Sequence, residues 1–272
     1  MGLIGGNLGY RILRYIAPGD RPRASSIDVY ESPAHKMTTH FGAGFFERIR
    51  GRTVVDFGSG RGMEAIEIAK RGAREVIGVE LQQRFRDEAT KQAVEHGVGE
   101  TCKFVPKPVG RADVVFSLDS FEHFADPGGN LRLMSEMVND DGEVWISFGL
   151  PWYHPHGGHL FSVFPWAHLI FTEEALVRWR SDFKDDGATR FCEVAGGLNQ
   201  MTIARFQQLV AESPLEFREF RMTPISPLRF IHCHATREFT TSLIFARLGK
   251  TAGLADQSSN SVATSLSASA SD

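Results

Sequence analysis

Residues 53–80, TVVDFGSGRGMEAIEIAKRGAREVIGVE, decide the fold of this chain. β-branched residues lead up to Asp56 and Phe57, glycines follow at 58, 60 and 62, and a second apolar run ends on Glu80. An apolar run entering a glycine turn reads as a buried strand. From Arg61 the period changes. Met63, Ile66 and Ala69 share one helical face, and Lys70 and Arg71 fall where the helix dipole favours cations, before Gly72 stops the helix. EVIGVE, 75–80, is then a second strand. Strand, glycine loop, helix and strand form the repeating unit of a parallel sheet, whose ligands sit beyond the carboxyl ends of the strands.

The alternation continues outward from that unit. QQRFRDEATKQAVEHG is helical, CKFV is the third strand and ADVVFSLD, 112–119, the fourth; LRLMSEMVNDDG is helical and EVWISFG, 143–149, is the fifth strand. GLNQMTIARFQQLVAES predicts a helix starting near Thr202, whose hydroxyl can cap it. EFREFRMTPI and EFTTSLIFARLG supply two last strands, with FREFR as a solvated strand face. Residues 1–40 carry Gly, Pro and Ser punctuation and read as an N-terminal arm or cap, ahead of a main domain over 41–250 that opens on the short helix FGAGFFERI. Residues 150–200 interrupt the pattern, and 251–272, rich in Ser and Ala without apolar period, read as a disordered tail.

Composition narrows the function classes. A chain of 272 residues, 42% hydrophobic and with net charge -3, buries a sizeable core but has no basic run to hold a phosphate backbone. Nucleic acid is not an expected partner. Cys102, Cys192 and Cys233 are odd in number and widely spaced, which suits neither a disulfide framework nor a paired-cysteine zinc site and fits a reducing cytoplasm. The opening MGLIGGNLGYRILRYIAPGD is broken by Arg11 and Arg14, unlike a signal peptide, and no segment reaches the length of a membrane span.

The glycine loop lets a ligand approach the backbone where no Cβ intervenes. A dinucleotide site expects G-x-G-x-x-G, whereas here the run is G-S-G-R-G and Met63 stands where the third glycine would be. Asp56, directly before the loop, repels a pyrophosphate but suits a cationic amino group. Glu80 can accept from both hydroxyls of a ribose. Ribose and an amino-acid-like cation together describe S-adenosylmethionine.

At these residues the chain resembles the class I S-adenosylmethionine-dependent methyltransferases. VVDFGSGRG matches their first motif, the acidic end of GVE their second, and ADVVFSLDSFEHFADP their fourth-strand segment, over roughly residues 41 to 150. The resemblance implies a Rossmann-like, mostly parallel seven-stranded sheet with helices on both faces and the last strand antiparallel. It implies that Asp56, Gly58, Ser59, Gly60 and Gly62 line the methionine part of S-adenosyl-L-methionine, that Glu80 holds the ribose, that Leu81 and Gln82 lie near the adenine, and that Leu118 and Asp119 flank the methionine end. One departure is the short CKFVPKPVGRADV, which leaves adenine recognition to backbone groups and apolar contact.

The acceptor is read from FGLPWYHPHGGHLFSVFPWAHLIFTEEAL, expected to hang over the strand ends as a lid. Its aromatic residues, Trp152, Tyr153, Phe161, Phe164, Trp166 and Phe171, are interleaved with histidines and suit a partly apolar small molecule, although Phe161, Phe164 and Trp166 would serve equally as ordinary core. A catalytic base, needed if the acceptor is a hydroxyl, is sought at His123, His156 or His159, with Tyr153 as an orienting donor. No metal site is expected, since a His-rich cluster lacks the carboxylates of a hard-cation site; the I-H-C-H run at 231–234 is expected to be strand, with His232 and His234 on one face. Two other function classes stay open on these residues: a non-catalytic cofactor-binding partner protein and a nicotinamide-dependent oxidoreductase. Oligomeric state is not legible.

Overall fold

The computed structural model describes residues 2–19, 32–194 and 197–251; the expectation for the tail falls outside the described residues, apart from Thr251. Among the described residues, three helices precede the sheet: α1 (Gly6–Ile16), α2 (Pro33–Phe41) and α3 (Phe45–Ile49). The alternating part runs β1 (Thr53–Phe57), α4 (Met63–Lys70), β2 (Glu75–Val79), α5 (Gln83–Glu95), β3 (Cys102–Val105), β4 (Ala112–Leu118), α6 (Pro127–Met137) and β5 (Val138–Gly149). After it come α7 (Ala167–Ile170), α8 (Glu173–Ser181), α9 (Ile203–Ala211), β6 (Leu215–Pro224), α10 (Arg237–Thr240) and β7 (Thr241–Lys250).

The seven strands lie in the order β3-β2-β1-β4-β5-β7-β6, parallel from β3 through β5, with β7 antiparallel to both β5 and β6. Strand alternation sends neighbouring residues to opposite faces. Val55, Phe57, Val115 and Phe148 pack under Leu131, Met134 and Phe206 of α6 and α9. Val54, Phe116 and Trp145 pack under Met37, Phe41, Phe45 and Ile66 of α2, α3 and α4. Both faces are covered, which is why the strands read as unbroken apolar runs. The boundary expected at residue 40 falls inside α2, whose Met37 and Phe41 belong to the second of these cores.

Several local expectations are corrected. Val138–Gly142 were expected to continue a helix, but α6 ends at Met137 and β5 begins at once, because Val138 pairs with Ala112 and Asn139 Nδ2 donates to Asp113 Oδ1 at 3.0 Å. Met63 does not join Ile66 in the core and is 39% exposed. Residues 226–231 form a 3-10 turn, and His232 to Thr236 follow as loop and turn, so the I-H-C-H run has no strand alternation. Arg237–Thr240 is helical, leaving Thr241 to start β7. The cap at Thr202 is as expected, its hydroxyl accepting from Arg205 N at 3.0 Å.

The 150–200 segment builds a core of its own. Trp152, Phe161, Phe171, Leu176 and Trp179 are buried together with Leu13 of α1. Of the aromatic residues expected to face an acceptor, Trp152, Phe161 and Phe171 are therefore structural; Phe164 is partly buried against the same cluster. Each fully buried ring of this kind contributes roughly 1.5–3 kcal/mol.

Candidate functional site

The loop between β1 and α4 turns on three left-handed glycines, Gly58 at φ 90°, Gly60 at 50° and Gly62 at 78°. Phe104 of β3 packs onto this turn so closely that a Cβ at Gly62 would lie 2.5 Å from its ring, and one at Gly78 would lie 2.4 Å away. On the other side the loop is open, with no atom within 4 Å of a Cβ built at Gly60. The Glu80 carboxylate closes the turn, accepting from Gly60 N at 3.1 Å and from Gln82 N at 2.8 Å. Leu81, 82% exposed, and Gln82 form the rim beyond it.

Two buried polar atoms at this loop, one on Asp56 of β1 and one on Ser59, lack a hydrogen-bond partner among the described residues. Asp56 is 3% exposed and Ser59 5%, yet Asp56 Oδ2 and Ser59 Oγ, both buried, bond to nothing among the described residues. Burial, reinforced by Glu64, holds the Asp56 carboxyl well above the usual carboxylate range. A buried polar atom without a partner costs about 1–3 kcal/mol. The open loop, the unpartnered Asp56 Oδ2 and Ser59 Oγ, and a Glu80 carboxylate with lone pairs to spare fit a ligand that carries a cationic amino group and a diol.

At the end of β4 the buried Leu118 is followed by Asp119, a non-glycine residue at φ 50°. Helix α2 arrives here from the N-terminal side. Its Lys36 Nζ lies 3.0 Å from Glu64 Oε1 and 3.2 Å from Asp119 Oδ2. Burial works against the Lys36 charge, but Glu64 and Asp119 outweigh it and raise its pKa. His40 Nδ1 stands 2.9 Å from Ser147 Oγ, whose hydroxyl donates to Ile244 O at 2.9 Å. The hydroxyl proton being committed, His40 Nδ1 is the donor to Ser147. Burial lowers the His40 pKa although Asp119 pulls the other way.

The 3-10 turn Phe121–His123 continues the same rim. Glu122 is buried, and burial together with Asp119 pushes its carboxyl well up; its Oε2 has no partner among the described residues. His123 Nδ1 lies 2.8 Å from the Gly197 carbonyl, which can only accept, so Nδ1 carries a proton and Nε2 is the nitrogen that bears the lone pair whenever the ring is neutral. The His123 ring meets that of His159 at 5.3 Å between centroids. Burial, then the neighbouring His123, lowers His159 to about 4, so it is neutral near pH 7. Asn199 ties the returning chain to this turn, its Nδ2 donating to Phe121 O at 2.8 Å and Phe124 O at 3.0 Å.

The structure thus brings His123 and His159 together near Asp119. The other two expected candidates are placed differently: His156 N donates to His154 Nδ1 at 2.9 Å, and the Tyr153 ring lies 5.1 Å from that of Phe239. His168 is structural, with Nδ1 at 3.0 Å from Ser162 Oγ and Nε2 at 2.7 Å from Trp152 O. All five non-glycine residues with positive φ among those described, Asp119, Leu150, His159, Trp166 and Gln200, belong to strand ends or to the 150–200 segment. Such strain concentrates where geometry serves function. Sequence reasoning missed Lys36, His40, Glu64 and Glu122; Ser32 capping α2 with Pro33 at its first position is the signal that would have exposed the helix carrying the first two.

Among the described residues, no group of three or more His, Cys, Asp or Glu could hold a metal ion, and no helix is long and apolar enough to cross a membrane. Cys102 is buried, Cys192 and Cys233 are exposed, and all three are free thiols.

Comparison with known proteins gives consistent results. Residues 33–193 match the model of a family described as a methyltransferase domain. A ubiquinone biosynthesis O-methyltransferase of Neisseria meningitidis serogroup C (strain 053442) is 31% identical over 166 residues, 54% of this chain and 64% of that protein. A tRNA U34 carboxymethyltransferase of Alteromonas mediterranea is 30% identical over 106 residues, 35% of this chain and 32% of that protein. The chain therefore covers less than two thirds of either relative. In fold it is similar to the mitomycin 7-O-methyltransferase, with TM-score 0.53 and 15% identity over 80% of this chain and 53% of that one.

Proposed function

The chain belongs to the class I S-adenosylmethionine-dependent methyltransferases, and from that premise we propose that it methylates an oxygen or nitrogen of a small-molecule acceptor held beneath the 150–200 segment. The observation that carries the cofactor side is the buried, unpartnered pair Asp56 Oδ2 and Ser59 Oγ beside an open glycine loop. Bound there, S-adenosylmethionine supplies an electrophilic methyl group on a sulfonium.

The residues divide the work. Asp56 and Ser59 receive the cationic amino group, with Gly58, Gly60 and Gly62 letting the backbone approach. Lys36 offers its cation to the carboxylate of the same amino-acid moiety, and Leu118 and Asp119 flank that end. Glu80 accepts from the ribose hydroxyls while keeping its backbone bonds, since a carboxylate has about four lone-pair directions. Leu81 and Gln82 border the adenine. On the acceptor side, His123 Nε2 carries the lone pair that takes the acceptor's proton, and the Gly197 carbonyl fixes that tautomer. Rate comes from alignment and exclusion of water, with the 150–200 segment as lid.

A small molecule is favoured over a nucleic acid because the chain has net charge -3 and no basic run. A nicotinamide dinucleotide is disfavoured because Met63 stands where its third loop glycine would be. Titration calorimetry with S-adenosylmethionine and with NAD separates these ligands: binding of the first and not the second is expected. Incubation of bound protein with a metabolite extract and methyl-labelled cofactor then yields a labelled small molecule. Binding without any labelled product, in small-molecule extract or in tRNA, would leave the non-catalytic partner reading.

A further inference from the structure

An outer helix packed on its parent domain normally turns polar residues to solvent. Helix α1 instead sets large apolar side chains beside the exposed Asn7 and Arg11 on its outer face. Its inner face is Gly9, Leu13 and the following Ala17, and a Cβ at Gly9 would stand 3.1 Å from that of Ala175, so α1 sits tightly against α8. Its outer face carries Leu8 at 67% exposure, Tyr15 at 89% and Ile16 at 41%, with Leu3 just ahead of the helix at 97%. Leu8, Tyr15 and Ile16 stand seven and eight positions apart, which is one stripe on a helix.

Charge on this element has one sign. From Met1 to Gly19 the chain has no Asp or Glu and carries Arg11 and Arg14, whereas the whole chain has net charge -3. Arg11 is exposed within the stripe's span, and Arg14 pairs with Asp182 at 3.2 Å. We propose that the outer face of α1 docks on an anionic lipid bilayer surface, with Leu3, Leu8, Tyr15 and Ile16 entering the interface and Arg11 meeting the headgroups. Leu and Tyr beside Arg on the outer face of a surface helix is the chemistry of an interfacial element. A second copy of the chain is the poorer occupant. The helix has 11 residues, so it is about 16 Å long and ~10 Å wide, far short of the roughly 800 Å² per partner that a stable dimer buries. Leu3 N and Ile4 N donate to Ile170 O at 2.8 and 3.0 Å, which ties this surface to the 150–200 segment.

The test is co-sedimentation of the full chain with vesicles of phosphatidylglycerol and phosphatidylcholine in equal parts, and with phosphatidylcholine alone. The wild type should partition onto the anionic vesicles and at least tenfold less onto the neutral ones. L8E/Y15E, both exposed positions, should lose at least tenfold of the anionic binding at unchanged melting temperature, and R11E several-fold. Absence of wild-type binding, equal binding to both vesicles, or equal binding by all variants would overturn the proposal. So would a wild-type dimer in sedimentation velocity that L8E/Y15E dissociates. Should L8E/Y15E fail to fold, R11E alone decides, because loss of anionic preference is then the readout.

Discussion

The two halves of the site are built on opposite plans. The cofactor half is a single stretch of chain, β1 to β2, in which Asp56, the three glycines and Glu80 lie within 25 residues and bond to one another through Glu80 and Gly60 N. The proposed acceptor half is assembled from remote pieces: His123 after β4, His159 from the 150–200 segment and Gly197 on its return. A site made locally is fixed by turn chemistry. One made from remote pieces depends on the packing that delivers each piece, so substitutions in the two halves should act on different measurable quantities.

The largest expected effect tests the acceptor half. H123Q keeps a side chain of similar length but removes the basic Nε2, and with a hydroxyl acceptor kcat should fall about 10²–10⁴-fold while the cofactor Kd holds. Near-normal turnover in H123Q would mean that alignment alone drives transfer, pointing to an amine acceptor. The complementary change in the cofactor half is E80A, expected to weaken S-adenosylmethionine by about 1–3 kcal/mol in calorimetry, the cost of losing a charged hydrogen bond. An unchanged Kd in a folded E80A protein would remove the ribose role and break the comparison at its better-defined end.

Lys36 belongs to both plans, since α2 carries it from outside the motif to the methionine end. K36M should weaken cofactor binding by about tenfold, the scale of one charge-assisted hydrogen bond. If instead kcat falls while Kd holds, Lys36 serves the acceptor and the division between the halves lies elsewhere.

What was legible in the sequence follows the same division. The parallel strands, the glycine turn and the cap at Thr202 were readable because each is set by neighbours a few residues away. The Lys36 and His40 positions were not, because they reach the site only after Met37 and Phe41 bury against the sheet. Glu122 stood in plain view within SFEHF, but its burial beside Asp119 is a tertiary fact. The aromatic residues after β5 misled in the other direction. Trp152, Phe161 and Phe171 have the composition of a binding surface and the packing of a core, and composition alone does not separate the two.

The smallest expected effect concerns what holds that segment together. His154 and His168 are both lowered to about 4, chiefly by burial, and join His159 in being neutral in the fold. A histidine whose pKa is depressed on folding contributes stability above its unfolded value near 6.5, and that contribution is lost as pH falls towards 4, because the unfolded chain then binds the proton more readily. The raised carboxyls of Asp56 and Glu122 act with the opposite sign, gaining as pH falls, so the total slope mixes the two. A single substitution separates them. In H154N the amide oxygen can replace Nδ1 as acceptor for His156 N, the bond seen at 2.9 Å, while removing the titrating ring. The drop in melting temperature between pH 7 and pH 5 should be smaller in H154N than in the wild type by a few degrees, about 1 kcal/mol for a chain of this size. Equal drops would show that the acid sensitivity of the fold does not run through His154, and that the 150–200 segment owes its cohesion to its aromatic core alone.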